Sequence, residues 1–337
     1  MAHLSDELGI DFTVDEVHIG KKKEKKPLFV NQLAAIPPKE LKYMLFDESK
    51  EYHKINYRDY LSGFADMTEE RQFKMIATSI YEFSLSTKQW GKTKYFKSIG
   101  IDNKANPMLK EKIEVIDKYL GFLFKTDLPD LVEHLEKIFP TKDLVKYGVL
   151  NPEKKDDGSP HPYPFTFKQN VEEGLIVIPN FDLYTSMCSG LKFRKTKLKS
   201  WIDKTTKKMK TDSNKEPEFS YGRIANPLPY MFTREALMNK SIVFRFFEGQ
   251  KDLHSAPVKT GTCDIAIPGV NGINEEMLGL FNSRIVELYF DQDIPGQQGA
   301  QKLKHMLERA GAIVINKTWD ANLGNDVNEL LQNGHLH

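Results

Sequence analysis

The sequence predicts an α/β arrangement at its C-terminal end, a mostly parallel sheet flanked by helices, preceded by an α+β subdomain and, before that, by a helical domain. Three observations carry this. From Ser241 onward, short apolar runs alternate with amphipathic stretches, the signature of strand–helix repetition. Around Asn151 to Pro164 the composition turns to Pro, Gly, Asp, Lys and His, which marks a boundary. From Pro38 to about Tyr147 apolar residues recur three and four apart, the helical period. The expected division is 1–150 mostly helical, 151–238 basic α+β, and 239–337 the catalytic domain.

The bulk numbers fit such a division. With 337 residues, 40% hydrophobic and 28% charged, the chain can bury more than one core. It holds no apolar run of about 18 residues, the minimum for a membrane span. Met1 to Lys21 lacks the basic start and apolar stretch of a signal peptide, so a cytoplasmic location is expected. Cys188 and Cys263 are the only cysteines, too few for a disulfide framework or a Cys-x-x-Cys zinc site; no zinc is expected.

In the helical domain, Thr68 to Phe83, Lys110 to Phe124 and Asp127 to Phe139 read as helices, the last with Leu128, Leu131, Leu135 and Ile138 on one face. Ser86 to Thr93 ends in Gly91-Lys92-Thr93, but Ser86 stands where a phosphate loop needs its first glycine and no buried strand precedes it in the pattern, both of which argue against that motif. The basic run Lys21 to Lys26 reads as a solubilising tail.

The middle region begins with a strand, Glu173 to Pro179, around the run Leu175-Ile176-Val177-Ile178. A turn at Asn180 to Asp182 and a second strand within Leu183 to Phe193 complete a hairpin. It leads into a basic stretch, Lys192, Arg194, Lys195, Lys197, Lys199, Lys204, Lys207, Lys208 and Lys210 against one acid, Asp203, with Phe193 and Trp201 interspersed. Such a stretch can track a phosphate backbone while an aromatic stacks on a base; charge alone is equally compatible with a solvated lysine-rich loop. Thr205 to Pro217 reads as a mobile loop, Asn226 to Pro229 as a further loop, and Thr233 to Met238 as a short helix.

The C-terminal region gives apolar runs Ser241–Phe247, Cys263–Ile267, Arg284–Phe290 and Ala312–Ile315. Between them lie a mixed stretch, Gln250–Val258, and amphipathic ones, Glu275–Phe281 and Gln297–Ala310, and a tail helix starts near Asp326. Functional residues of parallel sheets gather beyond the carboxyl ends of the strands, and acids fall there. Glu248-Gly249 closes the first strand, with Asp252 shortly after. Asp291-Gln292-Asp293 closes the Arg284–Phe290 strand, with Gly296 beyond it. Asp326 and Asn328 follow the last strand, with Gly324 before them. One Asp-x-Asp is more often a turn or helix cap. Several acids in this order point to a hard divalent cation, which takes oxygen ligands and offsets the repulsion of clustered carboxylates.

At these residues the sequence resembles the Toprim domain of bacterial-type primases, topoisomerases and some nucleases. The matching text is Phe247-Glu248-Gly249-Gln250-Lys251-Asp252, Asp291 to Ala300, and Gly324-Asn325-Asp326-Val327-Asn328-Glu329-Leu330-Leu331. Upstream, Gly174 to Pro179 with Asp182 and Arg194, then Asn226-Pro227, Phe232 and Arg234-Glu235-Ala236-Leu237, are similar to the catalytic core of the primases. The resemblance spans Leu144 to Leu331 and leaves out the helical domain. It departs from the family pattern in lacking zinc-ligating cysteines and in having Asn328 where many members carry aspartate.

The resemblance implies an enzyme, a DNA-directed RNA polymerase of primase type that makes short RNA primers on a single-stranded DNA template from nucleoside triphosphates. The alternative is a metal-dependent Toprim nuclease of defence or repair, and a third class is a non-catalytic scaffold. It implies Mg2+ or Mn2+ held by Asp291, Asp293 and Asp326, with Glu248 beside them as ligand or as acid or base. Glu248, Asp291 and Asp293 form the implied catalytic set, and Asp252 and Asn328 are secondary candidates. Lys192, Arg194, Lys195 and Lys197, with Arg234 and Lys251, would hold nucleic acid or nucleotide, and Gly269 could let backbone approach a phosphate. A separate replicative helicase is an implied partner, a bacterial or phage-infected cell the implied setting, and no membrane is involved.

Overall fold

The structure, a computed structural model, describes residues 57–87, 90–102, 107–160, 174–182, 185, 187–196, 200–202, 209–211, 218–220, 234–267, 273 and 275–336. A 3-10 helix, Tyr57–Asp66, comes first, followed by α1 (Glu69–Ser86), α2 (Trp90–Ser98) and α3 (Pro107–Asp117). Then come β1 (Gly121–Leu123), α4 (Leu128–Glu136), α5 (Thr141–Lys146), and the hairpin of β2 (Leu175–Phe181) and β3 (Cys188–Lys195). The middle region continues with β4 (Ser200–Ile202), β5 (Met209–Thr211), β6 (Glu218–Ser220) and α6 (Arg234–Met238). The C-terminal part runs β7 (Val243–Phe247), α7 (Gln250–Ser255), β8 (Thr262–Ala266), a 3-10 helix Glu275–Phe281, β9 (Ile285–Tyr289), α8 (Ile294–Arg309), β10 (Ile313–Asn316) and α9 (Val327–Gln332). All the described residues lie in one compact unit, Lys42–His337.

The first sheet is antiparallel, in the order β1-β2-β3-β6. Its β2 explains why four consecutive apolar residues occur there. Side chains alternate across a strand, and Leu175 and Val177 enter one core with Phe73, Ile80 and Leu131 of α1 and α4. Ile176 and Ile178 enter another core with Tyr95, Ile116, Phe247 and Leu253. A strand buried on both faces reads as continuous apolar sequence. Helix α1 lays Phe73, Ile76, Ala77 and Ile80 on this sheet. Its first turn is capped by Thr68, whose hydroxyl accepts from the Arg71 amide at 3.4 Å.

Two local expectations are corrected. The helix expected from Lys110 through Phe124 stops at Asp117, and Gly121-Phe122-Leu123 becomes β1, paired with Leu175–Val177. The missing Cβ of Gly121 allows this, because a methyl there would overlap the Ser84 hydroxyl on α1. In the stretch expected as a loop, Met209–Thr211 forms β5 and pairs antiparallel with β4; three alternating residues are too short a pattern to read. The antiparallel sheet takes β1 from before residue 150 and β2, β3 and β6 from after it.

The second sheet has the order β10-β9-β7-β8, with every neighbouring pair parallel. Phe244, Phe246, Ile265, Val286, Leu288 and Val314 point to the side covered by Ala300, Leu303 and Leu307 of α8. On the opposite side, Arg245 makes two hydrogen bonds to Asp264, at 2.6 and 2.7 Å, and Lys112 of α3 reaches the same carboxylate at 3.1 Å. The chain steps from β7 to β8 in one direction, then returns across β7 to β9 and on to β10 in the other. The reversal opens a crevice beyond the carboxyl ends of β7 and β9, where such sheets hold ligands.

Candidate metal centre

The residues following β7 and β9 meet across this crevice. Gly249, extended, forms the N-cap of α7. The amide of Asp291 donates to Glu248 Oε2 at 3.3 Å, tying one strand exit to the other. Asp252 lies in the first turn of α7, 7% exposed, and its Oδ1 accepts from the Asn328 amide at 3.3 Å. Gly296 permits the tight return after Asp291. A Cβ there would lie 2.8 Å from the Asp291 Cβ and closer still to its carbonyl oxygen, so α8 can start against the Asp291 backbone only through a glycine.

Asp326 arrives from the far side of the sheet. It caps α9, with Oδ1 accepting from the Glu329 amide at 2.6 Å. Two contacts hold its loop to the β9 exit, and a third closes the loop on itself. The Gln292 amide donates to the Asn325 carbonyl at 2.8 Å, the Trp319 amide to Gln292 Oε1 at 3.2 Å, and the Trp319 indole to the Gly324 carbonyl at 2.6 Å. Gly324 must be glycine, because a Cβ would stand 2.7 Å from the Leu330 nitrogen within α9. As a result Asp252, Asp291 and Asp326 each offer a carboxylate oxygen within 4.8 Å of the others.

Electrostatics mark the cluster as strained in the absence of a cation. Burial, then the charges of Glu248, Asp252, Asp326 and Asp293, push the Asp291 carboxyl up to about 7. Burial and then Asp326 push Asp252 up to about 6, partly offset by Lys251. Glu248 is raised as well, by burial and by Asp293, against the hydrogen bond from Asp291. Three oxygen donors, two of which ionise reluctantly, form a set suited to a hard divalent cation. Asp252, Asp291 and Asp326 are the residues that would hold it.

Of the expected site residues, Asp252, Asp291 and Asp326 converge, and Glu248 adjoins them. Asp293 caps α8, its Oδ1 accepting from the Gly296 amide at 2.8 Å, and lies outside the group of three. Lys251 contacts Asp326 Oδ2 at 2.7 Å. Asn328 is buried and turned away from the acids. Its Nδ2 donates to the Ile99 carbonyl at 2.6 Å and to the Ser255 hydroxyl at 2.7 Å, and its Oδ1 accepts from Gln332 at 2.9 Å. On β3, Arg194 and Lys192 pair with Ile176 and Ile178 and share their side of the sheet; the Arg194 guanidinium lies 5.6 Å over the Tyr95 ring. Lys195, opposite Leu175, ends the strand. Arg234 opens α6, and nothing is described of its side chain. Lys197 and Gly269 fall outside the described residues. Sequence reasoning missed Gln292 and Trp319, whose contacts bring Asp326 back to Asp291. Those contacts are long-range and leave no periodic trace.

No protein-family model and no curated protein matches the sequence. Among solved structures, the chain is similar to the Aquifex aeolicus primase, described as its zinc-binding and RNA polymerase domains, at 17% identity and a TM-score of 0.55. The match covers 80% of this chain and 60% of that one. A second similarity, to the primase fragment of the bacteriophage T7 primase-helicase protein, has 15% identity and a TM-score of 0.31, over 48% of this chain and 59% of the other. The chain spans about 60% of the length of the Aquifex structure, and the mixed α/β fold with its parallel sheet of β10-β9-β7-β8 is similar to that of a bacterial primase.

Proposed function

We propose that the chain is a primase-like nucleotidyltransferase that makes short RNA primers on single-stranded DNA, with its parallel sheet acting as a Toprim catalytic domain. The observation that carries this reading is the convergence of Asp252, Asp291 and Asp326 at the switch point of a sheet whose fold is similar to that of the Aquifex primase. Mg2+ or Mn2+ bound there would supply charge neutralisation for a nucleoside triphosphate. In the reaction a primer 3′ hydroxyl attacks the α-phosphorus, the new oxygen–phosphorus bond forms, and the bond to the β-phosphate breaks to release pyrophosphate. Glu248, with its raised pKa, is suited to take the hydroxyl proton. Asp293, fixed as the cap of α8, holds negative charge beside Glu248. Arg194, half-buried on one side of β3, would attract template or triphosphate, with Lys192, only 6% exposed, adding its field from behind, and Lys195 would act from the other side of the strand end.

A separate helicase supplying the single strand, and a cytoplasmic setting, belong to the same reading. Among the described residues no helix is long and apolar enough to cross a membrane. The test is incubation with single-stranded DNA, labelled nucleoside triphosphates and Mg2+ or Mn2+. Short new RNA is expected; a shortened template without synthesis would replace the primase reading with that of a nuclease.

A further inference from the structure

We propose that Lys251 is an internal counter-cation: it occupies Asp326 while the centre holds no metal, is displaced when a divalent cation binds, and then takes a phosphate oxygen of the incoming nucleotide. This rests on the metal reading of the three acids. Asp326 has two carboxylate oxygens, and both are engaged. Oδ1 caps α9 through the Glu329 amide at 2.6 Å, and Oδ2 is held by the Lys251 ammonium at 2.7 Å. The cap is part of the helix start and is costly to give up. The oxygen available to a cation is therefore the one that Lys251 covers. A bound divalent ion and an ammonium on the same carboxylate oxygen repel one another, so the stronger charge displaces the weaker.

The position of Lys251 suits release. Its side chain is 32% exposed, against 13% for Asp326, and its flexible stem carries a point charge that can turn to a new partner. It sits in the first turn of α7, beside Asp252. A released ammonium thus stays at the rim of the crevice where a triphosphate bound to the cation would lie. Metal loading and phosphate binding are then coupled through one side chain, because the cation that neutralises Asp326 also frees the lysine.

The experiment compares the parent chain with Lys251→Met and Lys251→Arg. Mn2+ affinity is measured by electron paramagnetic resonance, thermal melting with and without Mn2+, and ATP binding in saturating Mn2+ by calorimetry. Lys251→Met should bind Mn2+ about tenfold more tightly and bind Mn2+-ATP about tenfold less tightly, roughly the scale of one partly exposed charge interaction. In EDTA it should melt below the parent, because Asp326 loses its partner, and added Mn2+ should close that gap. Lys251→Arg should stay near the parent in all three. Equal Mn2+ affinity in parent and Lys251→Met overturns the counter-cation while leaving the metal centre standing. Tighter Mn2+ with unchanged ATP binding overturns the transfer to phosphate. Absence of Mn2+ binding in every form overturns both this proposal and the metal reading beneath it.

Discussion

The two sheets of the molecule divide stability and chemistry between them. The antiparallel sheet buries both sides of β2, Leu175 and Val177 into one core and Ile176 and Ile178 into the other. Of the charged residues on its β3, Lys192 and Arg194 stand on one side and Lys195 on the other. The parallel sheet keeps its core on the α8 side, and its acids lie past the ends of its strands, where the order reverses between β7 and β9. In the first, a residue's role follows from which side of a strand it occupies. In the second, it follows from topology, which no local pattern encodes. Substitutions should therefore separate cleanly into those that unfold and those that silence.

The largest effect is expected at Asp291. Asp291→Asn keeps the size of the side chain and removes the charge, and primer synthesis should fall on the order of a thousandfold, about 4 kcal/mol of lost transition-state stabilisation. Stability should not fall with it. A carboxyl whose pKa is higher in the folded chain than in the unfolded one binds protons better when folded, so the metal-free protein loses stability as pH rises. The window runs from the ordinary 3.8 through about 6 for Asp252 and about 7 for Asp291, and closes above that. In EDTA the parent's melting temperature should decline across this range more than that of an Asp252→Asn, Asp291→Asn double variant. Parallel curves for the two proteins would contradict the strained cluster.

Next in size are the two sides of β2. Leu175→Ala and Ile176→Ala each empty a fully buried site and should cost about 2–5 kcal/mol in denaturant unfolding. They act on different cores, so beyond the coupling expected of neighbours on one backbone the two losses should add; a coupling as large as either loss would show that β2 does not separate the cores. Gly296→Ala stands between the classes. Its Cβ meets the Asp291 backbone, so about 1–3 kcal/mol of stability should be lost together with a fall in activity that a distant cavity variant of equal stability does not show.

What could be read beforehand follows the same division. The strands β2, β7, β9 and β10 were legible because apolar runs and their acidic or glycine ends are local. Glu248, Asp291, Asp293 and Asp326 could be read as a set of acids because each ends or follows a strand; that the Asp293 side chain caps α8 and lies outside the group of three could not. β1 was not, because Gly121-Phe122-Leu123 continues a helical rhythm, and only the approach of Ser84 and Val177 makes it a strand. The fate of Asn328 was not legible either. Its position suggested a weakened ligand, whereas its amide fastens α9 to Ile99, after α2, and to Ser255 of α7. Asp252 entered the group of three through the turn of α7 after Gly249, a helix start that one glycine signals only faintly.

The smallest effect should come from β3, where the antiparallel sheet carries its share of the chemistry. Arg194 and Lys192 share the side of Ile176 and Ile178, while Lys195 ends the strand on the other side. If single-stranded DNA runs along the Arg194 side, Arg194→Gln should weaken binding several-fold and reduce the slope of log affinity against log salt by about 1, the signature of one lost phosphate contact. Lys195→Gln should change affinity less, because its contribution is then long-range and screened beyond about 10 Å at 0.1 M salt. Fluorescence anisotropy across a salt series separates the two. Equal losses at both positions would mean that charge near the strand end, and not the side on which it stands, governs the contact. The contrast between a sheet read by its sides and a sheet read by its ends would then fail at its weakest point.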